Sequence, residues 1–71
     1  MNKTMTLQKI GPSLFIETVA KEGSRLVTTR SYPRWEDAEK RLREIGLSVE
    51  EIARLKSDFD SGKESVLIPL R

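Results

Sequence analysis

Apolar and polar positions alternate at two different periods along this chain, and the change of period divides it. Residues 13–21 read Ser-Leu-Phe-Ile-Glu-Thr-Val-Ala-Lys. At a repeat of two, Leu14, Ile16, Thr18 and Ala20 share one face, and Phe15, Glu17, Val19 and Lys21 share the other. Both faces carry apolar groups, as in a central strand or one whose second face is covered. Glu22-Gly23-Ser24 supplies a turn. Arg25 to Ser31 then resumes the alternation, with Leu26, Thr28 and Arg30 opposed to Val27, Thr29 and Ser31. The branched Cβ atoms of the threonines favour extended geometry. A β-hairpin, 13–21 with 25–31, is predicted.

The period then lengthens. Pro33 ends the second strand and, with its fixed φ and missing N–H, suits the first turn of a helix over 33–45. Trp35, Ala38, Leu42 and Ile45 form one apolar stripe. Glu36 with Lys40, Asp37 with Arg41, and Glu39 with Arg43 are acid-before-base pairs one helical turn apart. Gly46 is expected just past the helix end, with Leu47 folding back onto Leu42. Ser48 and Glu51 have the spacing of a capping box, and Leu47 is placed to staple onto Ile52. A second helix over about 49–59 would bury Val49, Ile52, Leu55 (or the stem of Lys56) and Phe59, and stop at Asp60-Ser61-Gly62. Residues 64–70 read as a last strand. Val66, Ile68 and Leu70 lie on one face and Leu67 on the other, and Pro69 demands an edge position.

Ahead of the hairpin, residues 1–6 are polar and read as a disordered tail, so the single small domain is set at 7–71. Leu7 and Ile10 are isolated apolar residues before the break at Gly11-Pro12, forming a short edge strand or packing singly. The assembly is an α+β, two-layer β-β-α-α-β unit. It has a small, mainly antiparallel three-stranded sheet covered on one face by two helices. Alternation alone does not decide which face meets the helices. A second face with Phe15, Val19 and Leu67, joined by Leu7 and Ile10, would be left uncovered. That surface predicts a homodimer, by sheet stacking or edge pairing.

Composition narrows the chemistry. The chain has 71 residues, no cysteine and no histidine. Disulfides, thiolate or imidazole metal sites, and thiol or imidazole catalysis are excluded. Charged residues are 34% and hydrophobic residues 37%, a globular balance too apolar for a disordered tail. Residues 1–34 carry six basic and two acidic side chains, and residues 35–71 carry seven and nine. This asymmetry is mild for a nucleic-acid binder. No run resembles a signal peptide or a membrane span, so a cytoplasmic protein with no membrane partner is expected.

Few side chains suggest a site. Glu17 is the one carboxylate inside an apolar strand. A cross-strand ion pair with Arg30 or Arg25 accounts for it better than catalysis. Asp58, Asp60 and Glu64 lack the length and ligand order of a calcium loop and read as a solvated helix end. Gly11, Gly23, Gly46 and Gly62 are scattered punctuation with no phosphate-loop signature. Arg25, Arg30, Tyr32 and Arg34 gather with Trp35 and are candidate nucleic-acid contacts. However, Trp35 heads an apolar stripe, and Arg25 and Arg30 face opposite sides of a regular strand. The two helices are a poor groove reader, because Glu50 and Glu51 open the second one and would repel phosphate. Their polar faces are mixed in sign, unlike those of an interfacial membrane helix.

The layout looks like that of many small bacterial or phage proteins with a hairpin followed by a helix pair, without a motif that carries a function. The expectation is a non-enzymatic protein-interaction, adaptor or regulatory module that self-associates and needs no cofactor. The alternative is a nucleic-acid-binding dimer using the cluster around Arg25–Trp35.

Overall fold

The computed structural model describes residues 3–21, 23 and 25–70. Of the predicted turn at 22–24, Glu22 and Ser24 lie outside the described residues, as do residues 1 and 2 of the expected tail. The element order is β1 (Lys3–Ile10), β2 (Leu14–Lys21), β3 (Val27–Tyr32), α1 (Trp35–Glu44), α2 (Val49–Asp60) and β4 (Ser65–Leu70). The fold is α+β. Its antiparallel sheet has four strands rather than three, in the order β3-β2-β1-β4.

The added strand is β1, which lies in the interior of the sheet and not at its edge. It pairs with β2 from Lys3↔Lys21 to Ile10↔Leu14, and with β4 from Lys3↔Leu70 to Gln8↔Ser65. Residues 3–6, expected in a tail, therefore sit between two neighbouring strands. The local reason is alternation. Met5 and Leu7 face the helices and are almost fully buried, while Thr4 and Thr6 face away with the branched Cβ that strands accommodate.

The pairing registers fix which residues share a face. Toward the helices point Lys3, Met5, Leu7 and Lys9 of β1, Phe15, Glu17, Val19 and Lys21 of β2, Thr28, Arg30 and Tyr32 of β3, and Val66, Ile68 and Leu70 of β4. Away from them point Thr4, Thr6, Gln8 and Ile10, then Leu14, Ile16, Thr18 and Ala20, then Val27, Thr29 and Ser31, and finally Ser65, Leu67 and Pro69. No helix covers this second face. The two layers give principal extents of 33 × 25 × 18 Å.

The core lies between the sheet and both helices. Met5, Leu7, Phe15, Val66 and Ile68 meet Ala38 and Leu42 of α1 and Ile52 and Phe59 of α2. Phe15, Trp35 and Phe59 form an edge-to-face trio, with ring centroids 5.2, 5.4 and 6.2 Å apart. Such pairs add stabilisation beyond the area they bury. Val49 does not join the stripe. It is the first residue of α2 and is 72% exposed, because the stripe starts one turn later at Ile52.

Helix ends follow the local chemistry closely. Pro33 falls just outside α1, whose N-cap is Arg34, so it orients the entry rather than opening the first turn. At the other end Gly46 takes φ +100°, with Gly46 N–H donating to the Arg43 carbonyl and Leu47 N–H to that of Leu42. These two bonds are the paired closure that a left-handed residue past a helix end permits. Ser48 Oγ accepts from Glu51 N–H while Glu51 Oε1 accepts from Ser48 N–H, completing the capping box. The corner therefore satisfies backbone groups of both helices within three residues.

Candidate functional site

Glu17 is 2% exposed, the one buried charged residue among the described residues. The β2 alternation places it between Phe15 and Val19 on the helix side, where a carboxylate without partners would be costly. Two elements supply partners. Arg41 of α1 donates from Nε to Oε1 at 2.9 Å and from Nη2 to Oε2 at 3.4 Å. Tyr32 of β3 donates its hydroxyl to Oε1 at 2.8 Å. Arg41 also reaches Glu44 at 3.8 Å, one turn along α1. The carboxylate thus clamps the covering helix to the edge of the sheet, and none of its oxygens is left unpaired.

Burial, with Glu17 adding in the same direction, pushes the Tyr32 hydroxyl above its ordinary 10.0. The hydrogen bond to Glu17 raises the Arg41 guanidinium further still, so it stays charged. The Tyr32 shift predicts a pH dependence. The folded state holds this proton more tightly than the unfolded chain. The stabilisation is therefore complete below the ordinary tyrosine value and is lost as pH rises through the folded one. The denaturation midpoint should fall more steeply above pH of about 10 in wild type than in Tyr32→Phe. Parallel profiles for the two proteins would refute the assignment.

Each oxygen of this buried carboxylate has at least one donor, and the bonds join β2, β3 and α1. Beside it a shallow cavity of about 330 Å³ lies between β3 and α1, with Arg30, Tyr32, Lys40 and Arg41 in its wall together with Asp37 and Glu44. No group of three or more acidic residues among the described residues is placed to hold a metal ion. No helix of the described chain is long and apolar enough to cross a membrane.

The residues expected at an exposed apolar surface divide. Leu7 and Phe15 are buried beneath the helices, and Val19 is partly buried against the same core. They share the face of Met5 and Glu17, which is the face the helices cover. Ile10 and Leu67 are on the open face, 44% and 70% exposed. Val27, 54% exposed, joins them there across the register with Ala20. The basic candidates divide as well. Arg30 and Tyr32 share the helix side of β3, Arg25 precedes that strand, and Arg34 is the N-cap of α1. Tyr32 is bonded to Glu17, and Trp35 packs against Phe15 and Phe59.

Neither Arg30 nor Arg25 pairs with Glu17. Arg30 stands directly across from it in the strand register, but the bonds come from Tyr32 and Arg41. Arg41 was not among the sequence candidates, because Asp37 four residues earlier offered a local partner. The available signal was its position beside Leu42 on the apolar stripe. Of the three helix pairs expected along α1, Glu39 with Arg43 forms at 2.7 Å.

The open face has one further property. None of its fourteen residues is charged, whereas the helix side of the same strands carries Lys3, Lys9, Glu17, Lys21 and Arg30. In a chain that is 34% charged, this segregation marks the face as distinct. Comparison of the chain with protein-family models, with curated proteins and with solved structures gives no match.

Proposed function

We propose that this chain is a non-catalytic protein-interaction module that self-associates through the open face of its sheet. The observation that carries the reading is the uncharged character of that face. A two-fold interface brings a patch against a copy of itself, so a patch of one net sign meets the same sign and every charge within it is desolvated. A neutral face bearing Ile10, Ile16, Val27 and Leu67 between short hydroxyl side chains carries no such penalty.

Size supports the same reading. Four strands of up to eight residues span roughly 26 by 19 Å, or about 500 Å² in plan before side-chain relief. A standard interface buries about 800 Å² of accessible surface on each partner. The face carries no tryptophan, tyrosine or arginine, the side chains that dominate tight interfaces, so a micromolar rather than nanomolar dimer is expected.

Catalysis has little support. The buried polar cluster has every acceptor engaged, and the cavity beside it is shallow. Nucleic-acid binding is the second reading, favoured by Arg25, Arg30 and Arg34 around one edge strand. It is weakened by the engagement of Tyr32 and Trp35, the two rings that would stack bases.

Sedimentation equilibrium at about 200 μM, well above a micromolar dissociation constant, should return close to twice 8.1 kDa for wild type. Leu67→Glu, on an exposed side chain of the open face, should return the monomer mass with unchanged far-ultraviolet circular dichroism. A monomeric wild type would sink the proposal. A dimeric Leu67→Glu would move the interface elsewhere.

A further inference from the structure

The sheet has two free edges, and they are built differently. The Lys9 N–H donates to the Glu64 carbonyl at 2.8 Å, just beyond the last register pair of β1 with β4. Antiparallel pairs alternate between bonded and non-bonded, so this bond sets the direction of every backbone group in the sheet. Odd-numbered residues of β1 bond β4, and even-numbered ones bond β2. Odd-numbered residues of β2 consequently bond β3 at Thr28, Arg30 and Tyr32.

Two sets of backbone groups are left pointing outward. On β4 they belong to Ser65, Leu67 and Pro69. Pro69 has no N–H, which blunts that edge in the way natural sheets commonly do. On β3 they belong to Val27, Thr29 and Ser31, three donors and three acceptors in alternation. Among the described residues nothing pairs with them, and the strand is exposed from Val27 to Ser31. Among the described residues no proline, bulge or covering loop protects this run. It is a template for another extended backbone.

Charge selects the occupant. The segment 25–35, which contains β3, carries Arg25, Arg30 and Arg34 and no carboxylate. Among the described residues none of these arginines has an ion-pair partner. Arg30 points to the helix side, where the wall of the adjoining cavity carries Lys40 and Arg41 with Asp37 and Glu44, and Glu44 lies 3.8 Å from Arg41. A second copy of β3 added at this edge would bring three arginines against three. A nucleic-acid strand offers phosphate acceptors, which would meet the outward carbonyls of Val27, Thr29 and Ser31 unfavourably. A polypeptide strand matches both donors and acceptors.

We infer that β3 is a docking edge for an acidic extended segment of another protein. Such a segment pairs with the backbone of Val27, Thr29 and Ser31 and sets alternate carboxylates toward Arg30 and Lys40. Its intervening side chains lie on the uncharged face and are small or β-branched, continuing the surface formed by Val27, Thr29 and Ser31. The site shares with the reading above only the idea of an interaction module. Its surface is the edge, whereas self-association uses the face.

The test uses short fluorescent peptides and the full chain. A peptide alternating glutamate with threonine should raise anisotropy on binding. One alternating lysine with threonine should bind at least about tenfold more weakly. N-methylation of every second amide of the acidic peptide should abolish binding, because it removes the backbone donors facing β3. Arg30→Glu should weaken binding about tenfold or more. Thr29→Pro, which deletes the central outward N–H, should do the same, with circular dichroism establishing that each variant is folded. Amide resonances of Thr29 and Ser31 should shift on titration while that of Leu67 does not. No binding of the acidic peptide up to about 1 mM would overturn the inference. So would equal binding of the two peptides, indifference to N-methylation, or preferential binding of an oligonucleotide. A monomer mass for Thr29→Pro beside a dimeric wild type would also overturn it, by giving the edge to a second copy. Failure of the face as the dimer interface reads out separately, in the mass of Leu67→Glu.

Discussion

Phe15→Ala should remove a large share of the stability of this fold. Truncating a buried phenylalanine costs about 3–5 kcal/mol, through lost transfer energy and the cavity left behind. At roughly 0.05–0.15 kcal/mol per residue, a domain of this size has about 4–10 kcal/mol in all. Phe15 is 5% exposed and is the ring that touches both Trp35 and Phe59, so its loss loosens both helices from the sheet together. Urea denaturation at fixed protein concentration is the measurement, because self-association would add its own stabilisation. A loss below about 1 kcal/mol, with the dimer alone abolished, would return Phe15 to the surface where sequence pattern first placed it.

Arg41→Met should be nearly as damaging, for a different reason. The substitution leaves Glu17 buried with Tyr32 as its one remaining donor. Breaking a buried pair from one side costs about 3–5 kcal/mol, and the partial exposure of Arg41 puts this case at the lower end. Removing both partners is far milder, since apolar groups of similar volume need no hydrogen bonds. Glu17→Leu with Arg41→Met should therefore be more stable than Arg41→Met alone. Adding Tyr32→Phe should recover more, by removing the hydroxyl left without an acceptor. Additive losses across this series would mean that the three side chains do not act as one unit.

Much of the architecture was legible where a signal is local. The Gly46–Ser48 corner is specified within residues 42–51, and each of its bonds closes inside that window. The hairpin was legible for the same reason, since alternation and a turn lie side by side. Strand β1 was obscured because lysines and threonines surround its two core residues, Met5 and Leu7. Its place inside the sheet depends on β4, some sixty residues away. The facing of the sheet was ambiguous because β2 is apolar on both sides. It was settled by which strands stand beside it, a property no window contains. The partner of Glu17 was hidden similarly. Arg41 lies 24 residues off and has acidic neighbours on its own helix that satisfy a local rule equally well.

The antiparallel pairing of β1 with β4 brings Lys3 opposite Leu70. Both ends of the described chain therefore leave the domain from one corner of the sheet, beside each other. A tag or fusion at either end crowds the same corner, and the opposite end of the β1–β2 hairpin, at Gly11-Pro12, stays clear of it. The domain is accordingly suited to insertion into a surface loop of a host protein, or to closure into a ring by a short linker. In either form the open face and the β3 edge would remain accessible, which makes it a compact unit to display.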